Sequence, residues 1–85
     1  MTAEVQYYAM VAAGPGGPRP SGLARRTYEA SGPVDEVLTR DLRWRPDSAI
    51  VEWEYGDLGA DLIKISEADA AHLRETFRTR WERSA

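Results

Sequence analysis

Pro46-Asp47-Ser48-Ala49-Ile50-Val51-Glu52-Trp53-Glu54-Tyr55-Gly56 supports two opposite readings. Alternation sets Val51, Trp53 and Tyr55 on one side and Glu52 and Glu54 on the other, the period of a half-buried strand. The punctuation is that of a helix. Asp47 and Ser48 are N-cap residue types, and Gly56 stands where a C-cap glycine belongs. Composition favours the strand and punctuation the helix.

Upstream, residues 5–12 (VQYYAMVA) are rich in Val and Tyr and look apolar on both faces, which predicts a central strand. Residues 13–22 (AGPGGPRPSG) hold four glycines and three prolines and are expected to form a long, flexible loop between antiparallel strands. Residues 23–30 (LARRTYEA) alternate as a second strand, which Ser31-Gly32-Pro33 ends. Residues 34–45 are expected to form a third strand, because Arg45-Pro46 disfavours a helical end there.

Downstream, residues 62–65 (LIKI) read as a short strand under either reading of 46–56. Ser66-Glu67-Ala68-Asp69 resembles a capping box. Ala70, Leu73, Phe77 and Trp81 then recur at helical spacing, which predicts a long helix over residues 67–82. Glu67 and Asp69 lie at its positive end and Arg78, Arg80 and Arg83 at its negative end, as the helix dipole favours.

A chain of 85 residues is one small domain, spanning residues 1–85. Such a chain buries only roughly 63% of the surface it exposes when unfolded, so a deep cofactor cavity is beyond the monomer. With no cysteine, disulfides, thiolate metal sites and thiol nucleophiles are excluded together. The net charge of −3 argues against a dedicated nucleic-acid binder. The distribution is uneven: residues 47–69 carry seven acids against Lys64, a net of −6, whereas residues 19–45 carry six arginines against four acids, a net of +2. No apolar run approaches a membrane span, and residues 1–4 show no signal-peptide character, so the expected location is cytoplasmic.

None of the catalytic patterns is complete. His72, the only histidine, points away from the apolar stripe of the last helix, and no serine lies in a nucleophile-elbow sequence. Glu52 and Glu54 share a face only in a strand, where they could act as paired carboxylates; a solvated acidic face is the simpler reading. Asp57-Leu58-Gly59-Ala60-Asp61 faintly resembles a calcium loop, but the twelfth position from Asp57 is Ala68 rather than glutamate. Gly14-Pro15-Gly16-Gly17-Pro18 lacks the lysine and several of the amides that a phosphate cradle requires. No cofactor and no metal are expected.

The remaining candidates are charged surfaces. Arg25, Arg26, Arg43 and Arg45, with Arg40, bring some guanidinium groups onto one sheet face beside Tyr28 or Trp44 if the second and third strands are neighbours. Arginine with aromatics on a sheet is one way to hold single-stranded nucleic acid. The plainer reading pairs these arginines with Glu29, Asp35, Glu36 and Asp41. Trp44 and Trp53 are expected in the core, since so small a domain needs its large apolar side chains there.

Three stretches resemble a family of short uncharacterised proteins from high-GC Gram-positive bacteria. They are Pro20-Ser21-Gly22-Leu23 leading to Arg25-Arg26; Asp41-Leu42-Arg43-Trp44-Arg45-Pro46; and Ser48-Ala49-Ile50-Val51-Glu52-Trp53-Glu54 with Gly56-Asp57. Ile65-Ser66-Glu67-Ala68 is also similar. The family carries no assigned activity, so the resemblance implies no catalytic residues. It does imply a small α+β domain with a short helix after Pro46, capped by Gly56, and Ile50 and Trp53 turned to the core.

The expected architecture is therefore α+β: a three- to four-stranded, mostly antiparallel sheet, with a short helix near residues 47–55 and a long C-terminal helix packed on one face. The expected function is that of a non-catalytic interaction or regulatory module. It would bind a protein partner, or itself, through Arg25, Arg26, Arg43, Arg45, Glu52 and Glu54. One alternative is a nucleic-acid-associated accessory protein using the arginines; another is a small ligand-binding or enzymatic domain completed by oligomerisation.

Overall fold

The computed structural model of the chain describes residues 4–12, 17 and 19–84. Its spine is the antiparallel pair of β1 (Glu4–Ala12), rich in the aromatic and branched residues that suit a pleated, buried surface, and β2 (Arg19–Glu29), which buries Leu23 and Ala24. The pairing slips between Met10 and Val11: Met10 faces Gly22 and Val11 faces Pro20, leaving Ser21 as the extra residue of a bulge. The bulge also accommodates Pro20, which cannot donate to a regular ladder, and the Ser21 hydroxyl donates to the Met10 carbonyl at 3.3 Å. Residues 19–22, expected in the Gly/Pro loop, thus belong to β2, and positions 13–16 and 18 of that loop lie outside the described residues.

A tight turn through Ala30 and Ser31 leads into β3 (Gly32–Leu38), with Gly32 at φ 121°, a conformation that favours glycine. The single strand expected over residues 34–45 is instead a hairpin: β3 stops at Leu38, and β4 (Trp44–Pro46) folds back on it. Leu42 makes the reversal at φ 63°, with its amide donating to the Thr39 carbonyl at 2.8 Å and the Thr39 amide to the Arg43 carbonyl at 2.9 Å. A leucine tolerates this backbone because its side chain packs into the core beneath the last helix.

Within residues 46–56 the helix reading holds, over Ala49–Glu54. In α1 (Ala49–Glu54), Asp47 accepts the Ala49 amide at 2.8 Å, while Ser48, the N-cap residue, makes no capping bond. The far end closes in a Schellman arrangement. Gly56, at φ 79°, donates to the Trp53 carbonyl, and the Asp57 amide reaches back to the Glu52 carbonyl. The chain then returns as β5 (Asp61–Ile65), pairing with the free side of β1, and ends in α2 (Glu67–Ser84). The Ser66 hydroxyl accepts the Asp69 amide at 3.1 Å, as the capping pattern predicts.

The five strands run in the order β4-β3-β2-β1-β5, antiparallel throughout, one strand beyond the upper expected number. Period-2 alternation gives the sheet two apolar faces. Tyr8, Ala24 and Leu62 meet Ile50 of α1, with Met10, Val37, Trp53 and Leu58 around them. On the reverse, Leu23 and Leu38 meet Ala70 and Phe77 of α2, with Tyr7, Leu42, Trp44, Ile65, Leu73 and Trp81 at the margin. The two helices therefore lie on opposite faces rather than together on one. The cause is β1 itself, whose consecutive Tyr7 and Tyr8 each require cover.

Candidate functional site

Consecutive residues of β2 point to opposite faces, so Arg25 and Arg26 serve different layers. Arg26 is paired across the hairpin with Asp35, and its guanidinium grips that carboxylate with two bonds of 2.7 and 2.9 Å. The same guanidinium reaches Glu54 of α1 at 2.9 and 3.3 Å. It is therefore shared between a sheet acid and a helix acid, and both side chains of the Arg26–Asp35 pair are only 13% exposed. Hydrogen bonds from Arg26 hold the Glu54 carboxyl below its ordinary range, and those from Asp35 and then Glu54 raise the affinity of Arg26 for its proton. Tyr8 lies beside this network, and burial pushes its phenol above 10.0.

On the α2 side, Arg25 pairs with Glu36 at 2.9 Å and stacks its guanidinium 4.3 Å from the centre of the Trp44 ring. Trp44 in turn meets Tyr7, with ring centroids 6.1 Å apart and planes inclined by 56°. Arg45 binds Asp41 at 2.6 Å; Arg43 is the most exposed of these arginines and lies 4.0 Å from the same carboxylate. The Thr39 hydroxyl and then Arg45 lower the Asp41 pKa to about 2. Glu52 accepts from the Ser48 hydroxyl at 2.9 Å and points away from the sheet, opposite in role to Glu54.

The six sequence-derived candidates thus divide. Arg26 and Glu54 come together in one network, Arg25 is held by Glu36 and Trp44, Arg43 and Arg45 gather around Asp41, and Glu52 lies apart from them on α1. Arg26 and Arg45 share the α1 face of the sheet, whereas Arg25 lies on the other.

Two features were missed by sequence reasoning. Val51 of α1 and Tyr55, its C-cap residue four positions on, are 40% and 79% exposed. Their signal was the helix reading itself, which turns them away from Ile50. The other feature is a cleft of about 160 Å³ between α2 and the sheet, lined by Tyr7, Trp44, Glu67, Ala70, Ala71 and Arg74. Its signal was Ala70-Ala71, two small residues where larger ones would close the gap. No group of three or more acids or histidines among the described residues could hold a metal ion, and no described helix is long and apolar enough to cross a membrane. No family model, curated protein or solved structure matches the chain.

Proposed function

We propose that this chain is a non-catalytic interaction or regulatory module that binds a protein partner, or a second copy of itself, through the outer surface of α1. The observation that carries the reading is the exposure of Val51 and Tyr55 beside Glu52 and Asp57, acids without an ion-pair partner among the described residues. An exposed tyrosine with an aliphatic neighbour and a polar rim has the composition of an interface anchor. The arginines favour this reading over nucleic-acid binding. Arg25, Arg26 and Arg45 already hold carboxylates, and a phosphate would have to displace them.

The test compares wild-type protein with Tyr55→Ala and Glu52→Lys in affinity capture from host lysate, at low and moderate salt, each with and without nuclease treatment, alongside sedimentation over a wide concentration range. The expected result is a protein partner, or a dimer, that persists through nuclease and salt and is lost in both variants. Capture unaffected by either substitution overturns the assignment to α1. Retention of nucleic acid that disappears with salt transfers the function to the arginines.

A further inference from the structure

We propose that the cleft beneath the first half of α2 binds a small zwitterion: one cationic nitrogen and one carboxylate on a compact apolar body, the chemistry shared by free amino acids and betaines. This site lies on the opposite side of the sheet from α1 and is independent of the interaction surface described above.

Size sets the first limit. A cleft of about 160 Å³ has room for about five waters, well below the ~300 Å³ at which pockets for larger ligands begin. Nucleotides and organic cofactors do not fit; a molecule of about eight non-hydrogen atoms does. The walls set the second limit. Tyr7 and Trp44 present two inclined aromatic rings, and Ala70 and Ala71 leave the space open on the helix side. Arg25 stacks on Trp44 and is neutralised by Glu36, so it fixes the ring without lining the cleft.

Charge sets the third. Glu67 and Arg74 both line the cleft and lie on one side of α2, about two turns and ~10 Å apart along the axis. They make no ion pair with each other, nor with any other described residue. One N–H of Arg74 donates to the Leu42 carbonyl at 3.0 Å, which anchors the guanidinium while leaving further donors available. A lone cation would face Arg74, a lone anion would face Glu67, and a neutral apolar molecule would leave both groups unanswered. A zwitterion satisfies both ends: its cationic nitrogen against Glu67 and the aromatic rings, its carboxylate against Arg74.

The test uses isomeric zwitterions of about eight non-hydrogen atoms each: L-valine, glycine betaine and 5-aminovalerate. These differ in nitrogen substitution and charge separation, so their ranking distinguishes an amino-acid site from a betaine site. The readout is the indole N–H resonance of Trp44 in the intact, isotope-labelled protein, with Trp53 and Trp81 as internal references. At least one isomer should shift the Trp44 signal saturably with a Kd of about 1 mM or tighter. Choline and isovalerate, each carrying one of the two charges, should bind at least roughly tenfold more weakly. Ala71→Leu, at an exposed position, should abolish the shift in a folded protein, and Glu67→Gln and Arg74→Gln should each weaken binding about tenfold. No Trp44 shift with any isomer at about 20 mM overturns the proposal. So does a single-charge probe binding as tightly as the best zwitterion, or a shift that survives Ala71→Leu.

Discussion

Asp35→Asn tests the network that joins sheet and helix. The substitution keeps the size of the side chain but removes its charge and one of the two oxygens that Arg26 grips at 2.7 and 2.9 Å. Exposed ion pairs are worth about 0–1 kcal/mol, and removing one partner of a fully buried pair costs about 3–5 kcal/mol. With both side chains 13% exposed, the pair lies towards the buried limit, but Glu54 remains to balance Arg26 and moderates the cost. The expected loss is about 2 kcal/mol, read as a fall in Tm of about 8–16 °C for a domain of this size. Urea unfolding followed by far-UV circular dichroism, with a thermal melt in parallel, measures it. The loss should grow in a Glu54→Gln background, where Asp35→Asn strands the guanidinium without any counter-charge. Glu82→Gln, in an exposed pair with Arg78, should leave Tm unchanged. A loss below about 0.5 kcal/mol, or strict additivity with Glu54→Gln, would refute the shared-arginine account.

Gly56→Ala should cost about 1–2 kcal/mol, because alanine resists the φ of 79° although its Cβ would meet nothing within 4 Å. Gly59→Ala, equally open and with an ordinary φ, should be neutral or slightly stabilising, and the same melts compare the two. Phe77→Ala, at a fully buried side chain stacked on Trp81 at 5.2 Å, should cost roughly 3–5 kcal/mol and bring the domain close to unfolding at room temperature. For acid stability, Asp41 titrates lower in the folded chain than its ordinary 3.8. Its contribution is present above pH 3.8 and fades as pH falls through about 2. Glu54 acts in the same direction, so Asp41→Asn and Glu54→Gln should each flatten the acid limb of a stability–pH curve.

The parts of the fold that were legible in the sequence are those fixed by local chemistry. The stripe of Ala70, Leu73, Phe77 and Trp81 needs only helical spacing, whereas the local pattern of residues 47–55 leaves strand and helix open until the family resemblance favours the helix, although Gly56 suits the φ it adopts. The arginine pairs were legible because the turn through Ala30 and Ser31 sets the hairpin register, bringing Asp35 and Glu36 opposite Arg26 and Arg25. The break between β3 and β4 was hidden because its positive φ falls on Leu42. There the backbone is selected by tertiary packing and by the Arg74 bond to the Leu42 carbonyl. The zwitterion cleft was illegible for a similar reason: its walls come from β1, β4 and α2, which approach one another only through the strand order.

That order has a consequence for how the chain is made. β1 leaves the ribosome before any other described strand, yet it lies inside the sheet and acquires its second neighbour only when β5 appears, some fifty residues later. Until then a nascent chain can complete the meander from β1 to β4 while one flank of β1, with its Tyr-Tyr-Ala-Met-Val run, offers unpaired amides and carbonyls to any strand that reaches them. A chain halted near Gly59 would carry that open flank permanently and should self-associate into insoluble material. The delay between the synthesis of β1 and of β5 is thus the interval in which this flank stays unpaired.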